Sequence, residues 1–304
     1  MEVRMMFSDG APFAVTRGRR PIDILRGLFW LCHPGPLLFL VAAVAAFALL
    51  AAWPNVPWKL LPLILAVHLT MQLSISLFND YCDRERDALS RKNKPIAQGV
   101  ILPREALFVA LAATLVMLLL VIHLSRLAAA VTLLYFALGQ AYNLGLKCTP
   151  LGGIVFALAI PLIPVYSFAA VNHVTPFVLW QIPVAVLIGL ALHLGNALPD
   201  IEQDEANRTR NMAVRLGRQR TMVAITLLIA LAAVLVNVLA VTGRLPARSS
   251  LLLPTLLVAL VSAGVLWFFF RSKPAHRSRQ VYFNLVVLTC LVLGGGWIAS
   301  VMLR

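Results

Sequence analysis

The feature that most limits what this chain can become is a series of apolar runs, each about 20 residues long, separated by short basic loops. A helix rises about 1.5 Å per residue, so roughly 20 apolar residues match the ~30 Å hydrocarbon layer of a bilayer. Within that layer every backbone N–H and C=O must be paired inside the protein, which leaves helices or a closed barrel. Runs of this length select helices. Nine spans are expected, at 34–53, 58–80, 104–122, 126–145, 151–171, 176–198, 221–242, 249–270 and 281–302. The expected fold is all-α, a polytopic membrane protein of about nine transmembrane helices in one bundle. A hydrophobic content of 61% and a mean hydropathy of +0.87 exclude an ordinary soluble globular domain.

Charge sets the expected topology. A net charge of +14 would suit nucleic acid, but the basic residues sit in short loops between apolar runs, where topology signals lie. Nucleic acid is therefore not an expected partner. With the N-terminus inside, only Lys59, Arg126, Arg244, Arg248 and Arg304 of the 26 Lys and Arg fall on the opposite side. The N-terminus is expected to be cytoplasmic and the C-terminus outside. Residues 1–25 read as a basic cytoplasmic tail and 26–304 as a single transmembrane domain, with a short amphipathic helix over Ile22 to Leu31. No cleavable leader is expected, because the first apolar stretch opens near Leu28 and runs past Phe47. Cys32, Cys82, Cys148 and Cys290 lack metal-type spacing, so neither a zinc site nor a disulfide framework is indicated.

Acidic charge is confined to two places. Of the twelve acids, Asp80, Asp83, Glu85 and Asp87 form one group and Asp200, Glu202, Asp204 and Glu205 another; only Glu2, Asp9, Asp23 and Glu105 lie elsewhere. Asp80, Asp83 and Asp87 are spaced i, i+3, i+7, which puts three carboxylates on one helical face beside Asn79. Like charges at contact repel by about 1 kcal/mol in water and roughly 4 at an effective dielectric of 20, so they need a cation. Hard divalent ions take oxygen ligands, and Mg²⁺ usually also holds substrate phosphates. Asp200 and Asp204 are expected to share a face in the same way.

Each group is followed by a basic loop, 88–103 and 205–220, and the loops carry Gly99 and Gly217 before the next helix. The pattern reads either as a weak internal repeat, two half-sites facing across a cavity, or simply as basic cytoplasmic loops. Polar stripes run into both groups: His68, Gln72, Ser76 and Asn79 in the second span, and His193, Asn196, Asp200 and Asp204 in the sixth. The fourth span adds Tyr135, Gly139, Tyr142 and Asn143, with Lys147 one turn on. Polar groups at membrane depth usually face the bundle interior or a wet cavity, and single His or Gln residues also serve as helix–helix contacts. Gly294 to Gly296 is expected to mark close helix packing.

Asn-Asp-x-x-Asp-x-x-x-Asp at 79–87, Lys-Pro-Ile at 94–96 and Asp-x-x-x-Asp at 200–204 resemble the UbiA superfamily of intramembrane prenyltransferases. His33-Pro34, Tyr142 with Lys147, and Val214-Arg215-Leu216-Gly217 are similar to that family too, and the likeness covers the chain from about residue 26. Lys94 departs from it, because members often carry Arg there; the charge is kept but bidentate phosphate geometry is lost. Arg208 stands where some members extend the second motif.

The resemblance implies a central cavity open to the cytoplasm and a Mg²⁺-dependent transfer of a prenyl group to an acceptor. The donor is a prenyl diphosphate and diphosphate is released. Asn79, Asp80, Asp83, Asp87, Asp200 and Asp204 are the expected metal-side residues, the five aspartates being catalytic. Arg91, Lys92, Lys94, Lys147 and Arg215 would take up diphosphate charge. Tyr135, Tyr142 and Asn196 would face the allylic cation or the acceptor. The implied acceptor is a small molecule, most often an aromatic such as a hydroxybenzoate- or quinone-type ring, and lipid surrounds the whole. A cation-coupled transporter is the alternative. Transporter acids usually lie near the midplane in broken helices, whereas these lie at cytoplasmic helix ends.

Overall fold

A computed structural model describes residues 19–90, 94–245, 249–270 and 276–302. The described residues form helices and connecting turns with no β-strand. In chain order the helices are α1 (Pro21–Leu31), α2 (Pro34–Ala52), α3 (Leu61–Ser90), α4 (Pro103–Val121), α5 (Arg126–Asn143), α6 (Leu151–Ala170), α7 (Pro176–Trp180), α8 (Ile182–Ala197), α9 (Ile201–Ala206), α10 (Met212–Leu216), α11 (Arg218–Val241), α12 (Ser249–Phe270) and α13 (His276–Met302).

Each of the nine apolar runs falls on helix. Among the described residues, seven helical stretches are long and apolar enough to cross a membrane: α2, α3, α4, α6, the stretch from α7 to α9, α11 and α13. The two that fall short are explained by their residues. Arg126, Gln140 and Asn143 dilute α5, and α12 contributes a shorter apolar stretch, Thr255–Gly264. This is an integral membrane protein.

The chain divides into two compact units. One holds the residues up to Leu144 together with Ala169–Val171; the other holds Gly145–Phe168 and the residues from Asn172 on. In the first unit α3 is the central helix, packed against α1, α2, α4 and α5. Its 30 residues span about 45 Å, well beyond the ~30 Å of hydrocarbon, so its C-terminal part, with the first acidic group, lies past the apolar segment. Polar side chains tie it to its neighbours. Ser74 Oγ and Thr114 Oγ1 of α4 are 2.7 Å apart, and Gln72 Nε2 donates to Tyr135 Oη of α5 at 3.0 Å. Gly139 lets α5 come close, since a Cβ there would lie 2.7 Å from Ile75 Cδ1. Between the third and fourth spans the chain turns: Ser125 Oγ accepts from the Ala128 N–H, capping α5, and donates to the Ala169 carbonyl at 2.8 Å.

In the second unit α11 packs against α8 and α12, and α13 against α8 and α12. Its core gathers Leu194, Leu198, Ile201, Ala213, Met222, Ile225, Ile229 and the fully buried Tyr282. The glycine run at 294–296 is only partly a packing device: Gly294 and Gly295 face open space, while a Cβ at Gly296 would lie 2.6 Å from Thr255 Oγ1. A tighter approach is at Gly189 of α8, where a Cβ would meet the Ala157 Cα at 3.0 Å and the Phe156 carbonyl at 3.1 Å. Backbone cannot swing aside as a side chain can. Gly189→Val is therefore expected to cost about 1–3 kcal/mol by overpacking, read as a lower unfolding temperature in detergent, whereas Gly294→Ala leaves that temperature unchanged.

Candidate functional site

The first acidic group is organised around one cation. Lys94 Nζ lies 2.5 Å from Asp80 Oδ1 and 2.8 Å from Asp87 Oδ2. The carboxylates are one face of α3, and the ammonium bridges them from outside the helix. Asp80 is 2% exposed. Burial alone would push the Lys94 ammonium toward losing its proton; the Asp80 and Asp87 carboxylates outweigh that and hold its pKa above the ordinary lysine value. Asp83, on the same face, keeps 17% of its side chain exposed and lies 3.7 Å from Arg86. Arg84 is buried between them in sequence. Its guanidinium stacks 4.5 Å from the Tyr81 ring centroid and donates to the Tyr81 carbonyl at 2.9 Å.

Lys94 is placed by a turn that apolar residues pin down. The Gln98 N–H donates to the Lys94 carbonyl at 3.0 Å, the Gly99 N–H to Ile96 at 3.0 Å, and the Val100 and Ile101 N–H groups to Pro95 at 3.0 and 3.2 Å. Gly99 has φ +69°, a conformation that favours glycine. Ile96 and Ile101 are buried with Leu31, Leu77, Ala106 and Ala110. From above, α1 presses on the turn through Gly27, where a Cβ would lie 2.9 Å from Ile101 Cγ1. Arg19 then fastens the start of α4, pairing with Glu105 at 2.7 and 3.1 Å and donating to the Val100 carbonyl at 3.2 Å. Arg91 and Lys92, expected on the same loop, lie outside the described residues.

His33 belongs to this site, although sequence reasoning assigned it no role. Its Nε2 is 3.4 Å from Asp80 Oδ2, opposite the lysine. Its backbone is left-handed, φ 50° and ψ 63°, immediately before Pro34, which disfavours a helical conformation for the residue ahead of it. Strained backbone of this kind persists only where its surroundings hold it, and it gathers at functional sites. The available signal was the His-Pro pair at the head of the first span.

Asn79 turns from the carboxylates toward α5 and donates to Asn143 Oδ1 at 2.7 Å; Asn143 Nδ2 in turn donates to the Ile75 carbonyl at 2.9 Å. Asn79 thus serves as a structural partner in this state. Tyr135 meets Gln72, eight residues before Asp80 and so about 12 Å along the helix. It stands at the deeper end of the polar stripe, with His68 edge-on at 6.0 Å. Tyr142 is half-buried, one turn beyond Gly139. Lys147 does not extend the α5 face. The helix stops at Asn143, Gly145 turns the chain with φ +131°, and Lys147 sits on a separate turn, Leu146–Cys148, in the second unit.

The second acidic group is built differently. Pro199 opens a tight turn over Leu198–Asp200, so the expected stripe from His193 through Asp204 is interrupted. Asp200 becomes the residue before α9, and Asp204 lies within that helix. Buried Leu198 and Ile201 anchor this turn in the core. Asn211 Nδ2 donates to Asp204 Oδ2 at 2.8 Å while Asn211 Oδ1 caps α10 at the Val214 N–H, 2.9 Å. The Arg210 N–H donates to the Cys148 carbonyl at 3.0 Å, which brings the Lys147 turn alongside this loop. His193 packs by Gly152 and Gly153, 5.8 Å from the Phe156 ring. Arg215 and Asn196 are exposed in their unit, and Gly217 repeats the left-handed φ of Gly99 at +72°.

The donor set suits a hard divalent ion. No group of three or more His, Cys, Asp or Glu among the described residues is close enough to hold a metal unaided. Mg²⁺ is commonly held by one or two carboxylates together with substrate phosphates, and Asp80 and Asp87 already converge on a single cation, the Lys94 ammonium.

The sequence profile of the UbiA prenyltransferase family matches residues 38–288. A digeranylgeranylglyceryl phosphate synthase from Korarchaeum cryptofilum (strain OPF8) is 32% identical over 55% of this chain and 59% of its own length. A 4-hydroxybenzoate octaprenyltransferase from Herminiimonas arsenicoxydans is 31% identical over 68% of this chain and 69% of its own. Among solved structures, a UbiA homologue from Aeropyrum pernix K1 superposes with a TM-score of 0.69 at 19% identity, covering 87% of this chain and 98% of that one. One from Archaeoglobus fulgidus bound to DMAPP and Mg²⁺ gives 0.65 at 18% identity, covering 90% and 98%. At these identities the likeness establishes the fold.

The asparagine pair offers a direct check on this geometry. Asn143→Ala removes the partner of the Asn79 side chain and the second donor to the Ile75 carbonyl, and each lost hydrogen bond costs about 0.5–1.5 kcal/mol. A lowered unfolding temperature is expected, with a non-additive cycle when Asn79→Ala is combined with it.

Proposed function

Because the chain belongs to the UbiA prenyltransferase family, we propose that it transfers a prenyl group from a prenyl diphosphate to a small acceptor in the membrane, with Mg²⁺ as cofactor. The observation that carries this reading is the convergence of Asp80, Asp87 and Lys94 at the end of a helix longer than the apolar layer. The donor has an apolar tail and a charged head, and α3 offers both environments along one helix. The prenyl C1–O bond breaks, diphosphate leaves with the electron pair, a bond forms from the acceptor to C1, and the acceptor's proton passes to solvent.

The residues divide this work. Asp80, Asp83 and Asp87 are assigned the metal side of the site, and Asp200 and Asp204 are assigned the same role in the second acidic group. Lys94, Lys147 and Arg215 take diphosphate oxygens as charge-assisted donors, joined by Arg91 and Lys92 of the same loop as Lys94. Asp80, Asp83 and Asp87 would hold Mg²⁺, which when bound would supply charge neutralisation for the departing diphosphate. His33 and Lys94 fix the Asp80 carboxylate from opposite oxygens, so it is oriented before any ligand arrives. Tyr135 and Tyr142 line the path of the allylic chain, where aromatic faces favour a cation and exclude water. Asn196 is assigned to the acceptor side.

In this reading nine helices span the bilayer, the N-terminus is cytoplasmic and the cavity opens to the same side, consistent with the distribution of Lys and Arg. An aromatic acceptor is favoured by the relative named for 4-hydroxybenzoate, which this chain matches over a larger share of its length than the glyceryl phosphate synthase from Korarchaeum.

Asp83→Ala and Asp80→Asn are expected to lower turnover by about 10²–10³-fold, the scale seen when one preorganised electrostatic group is lost; unfolding temperature is preserved for the partly exposed Asp83 and falls for Asp80, whose buried ion pair is broken. Lys94→Ala is expected to raise the Michaelis constant for the donor more than it lowers kcat. The assay is diphosphate release from geranyl or farnesyl diphosphate with 4-hydroxybenzoate or a glycerol phosphate as acceptor. Full turnover by Asp83→Ala would sink the assignment, and transfer only to the glycerol phosphate would reassign the acceptor.

A further inference from the structure

We propose that Lys94 is a placeholder cation: its ammonium occupies the position between Asp80 and Asp87 until metal and diphosphate arrive together, and then moves to the diphosphate. This rests on the prenyl diphosphate reading and deepens it. Three facts support it. The ammonium is within 2.5 and 2.8 Å of both carboxylates, so it stands where a metal bridging them would stand. The pair is buried, with Asp80 and Asp87 each under a tenth exposed, so neither carboxylate has solvent as a substitute partner. The lysine is carried on a long flexible stem from a turn whose backbone is pinned by Ile96, Ile101 and Gly99, so the head can move while its anchor stays.

Charge accounting gives the direction. With Asp83 offset by Arg86 at 3.7 Å, the Asp80 and Asp87 carboxylates and the Lys94 ammonium sum to −1. A divalent ion entering while Lys94 stays gives +1 in a buried pocket, with two cations in contact. A metal entering with a diphosphate brings enough negative charge to draw the lysine away. Lys94 therefore opposes metal alone and favours the metal–diphosphate complex, so bare metal does not assemble the site without its substrate. A lysine suits the task better than arginine. It is a compact point charge with three rotatable donors, whereas a planar guanidinium would fork rigidly onto one partner.

The test is metal binding without turnover. Wild type, Lys94→Gln and Lys94→Arg, each in nanodiscs, are titrated with Mn²⁺ alone and with preformed Mn²⁺–pyrophosphate, and binding is read by paramagnetic resonance. Lys94→Gln is expected to bind Mn²⁺ alone about tenfold tighter, within the usual range for coupled sites, and Mn²⁺–pyrophosphate more weakly than wild type. Lys94→Arg keeps the charge and is expected to bind Mn²⁺ alone as weakly as wild type. A residue with a merely structural role would weaken both titrations. If Lys94→Gln does not fold, Lys94→Met removes the charge while keeping an apolar stem. Unchanged or weaker Mn²⁺ binding on loss of the charge overturns the inference and leaves the functional reading standing. If none of the proteins binds Mn²⁺ with or without pyrophosphate, the functional reading fails and takes this one with it.

Discussion

A single ammonium between two buried carboxylates holds the first acidic group together. Without a cation, Asp80 and Asp87 would face each other across a poorly solvated gap, at a cost of several kcal/mol. Lys94 removes that repulsion, and it does so from a loop rather than from the helix itself. Much of the local architecture follows. The loop must return to α3, so Ile96 and Ile101 bury beside Leu77, α1 lies over them, and Arg19 ties the start of α4 to the same corner. His33 closes the other side of Asp80.

The two acidic groups look alike in sequence but are secured by different physics. The first is part of an uninterrupted helix and is neutralised by a lysine. The second follows a tight helical turn containing Pro199 and is steadied by an amide: Asn211 holds Asp204 with one end and caps α10 with the other. What recurs is the following loop, where Gly99 and Gly217 adopt nearly the same left-handed φ. The likeness between the loops therefore lies in how the chain leaves them.

Helix positions were legible because the apolar runs are long and the hydrocarbon layer dictates one length. The face shared by Asp80, Asp83 and Asp87 followed from the 3.6-residue period. Three features were missed, the first two because they depend on contacts far apart in the chain and the third through a local turn. His33 reaches Asp80 only because a helix pair folds back on itself. Asn79 looked like a ligand beside an aspartate, yet its partner is Asn143 on another helix. Lys147 seemed to prolong a helical face until Gly145 redirected the chain. Pro199, by contrast, was in plain view, and the stripe drawn through it ignored what proline does to a helix.

The corner where α1 lies on the Lys94 turn has one more implication. Gly27 carries no charge, forms no part of any acidic motif and touches only aliphatic neighbours. A genetic survey that ranks changes by chemical similarity would pass over an alanine there as harmless. Yet the added methyl would press on the Ile101 and Val100 side chains that pack the turn carrying the lysine. A residue outside every acidic motif thus bears on the first acidic group through the packing of the turn beside it.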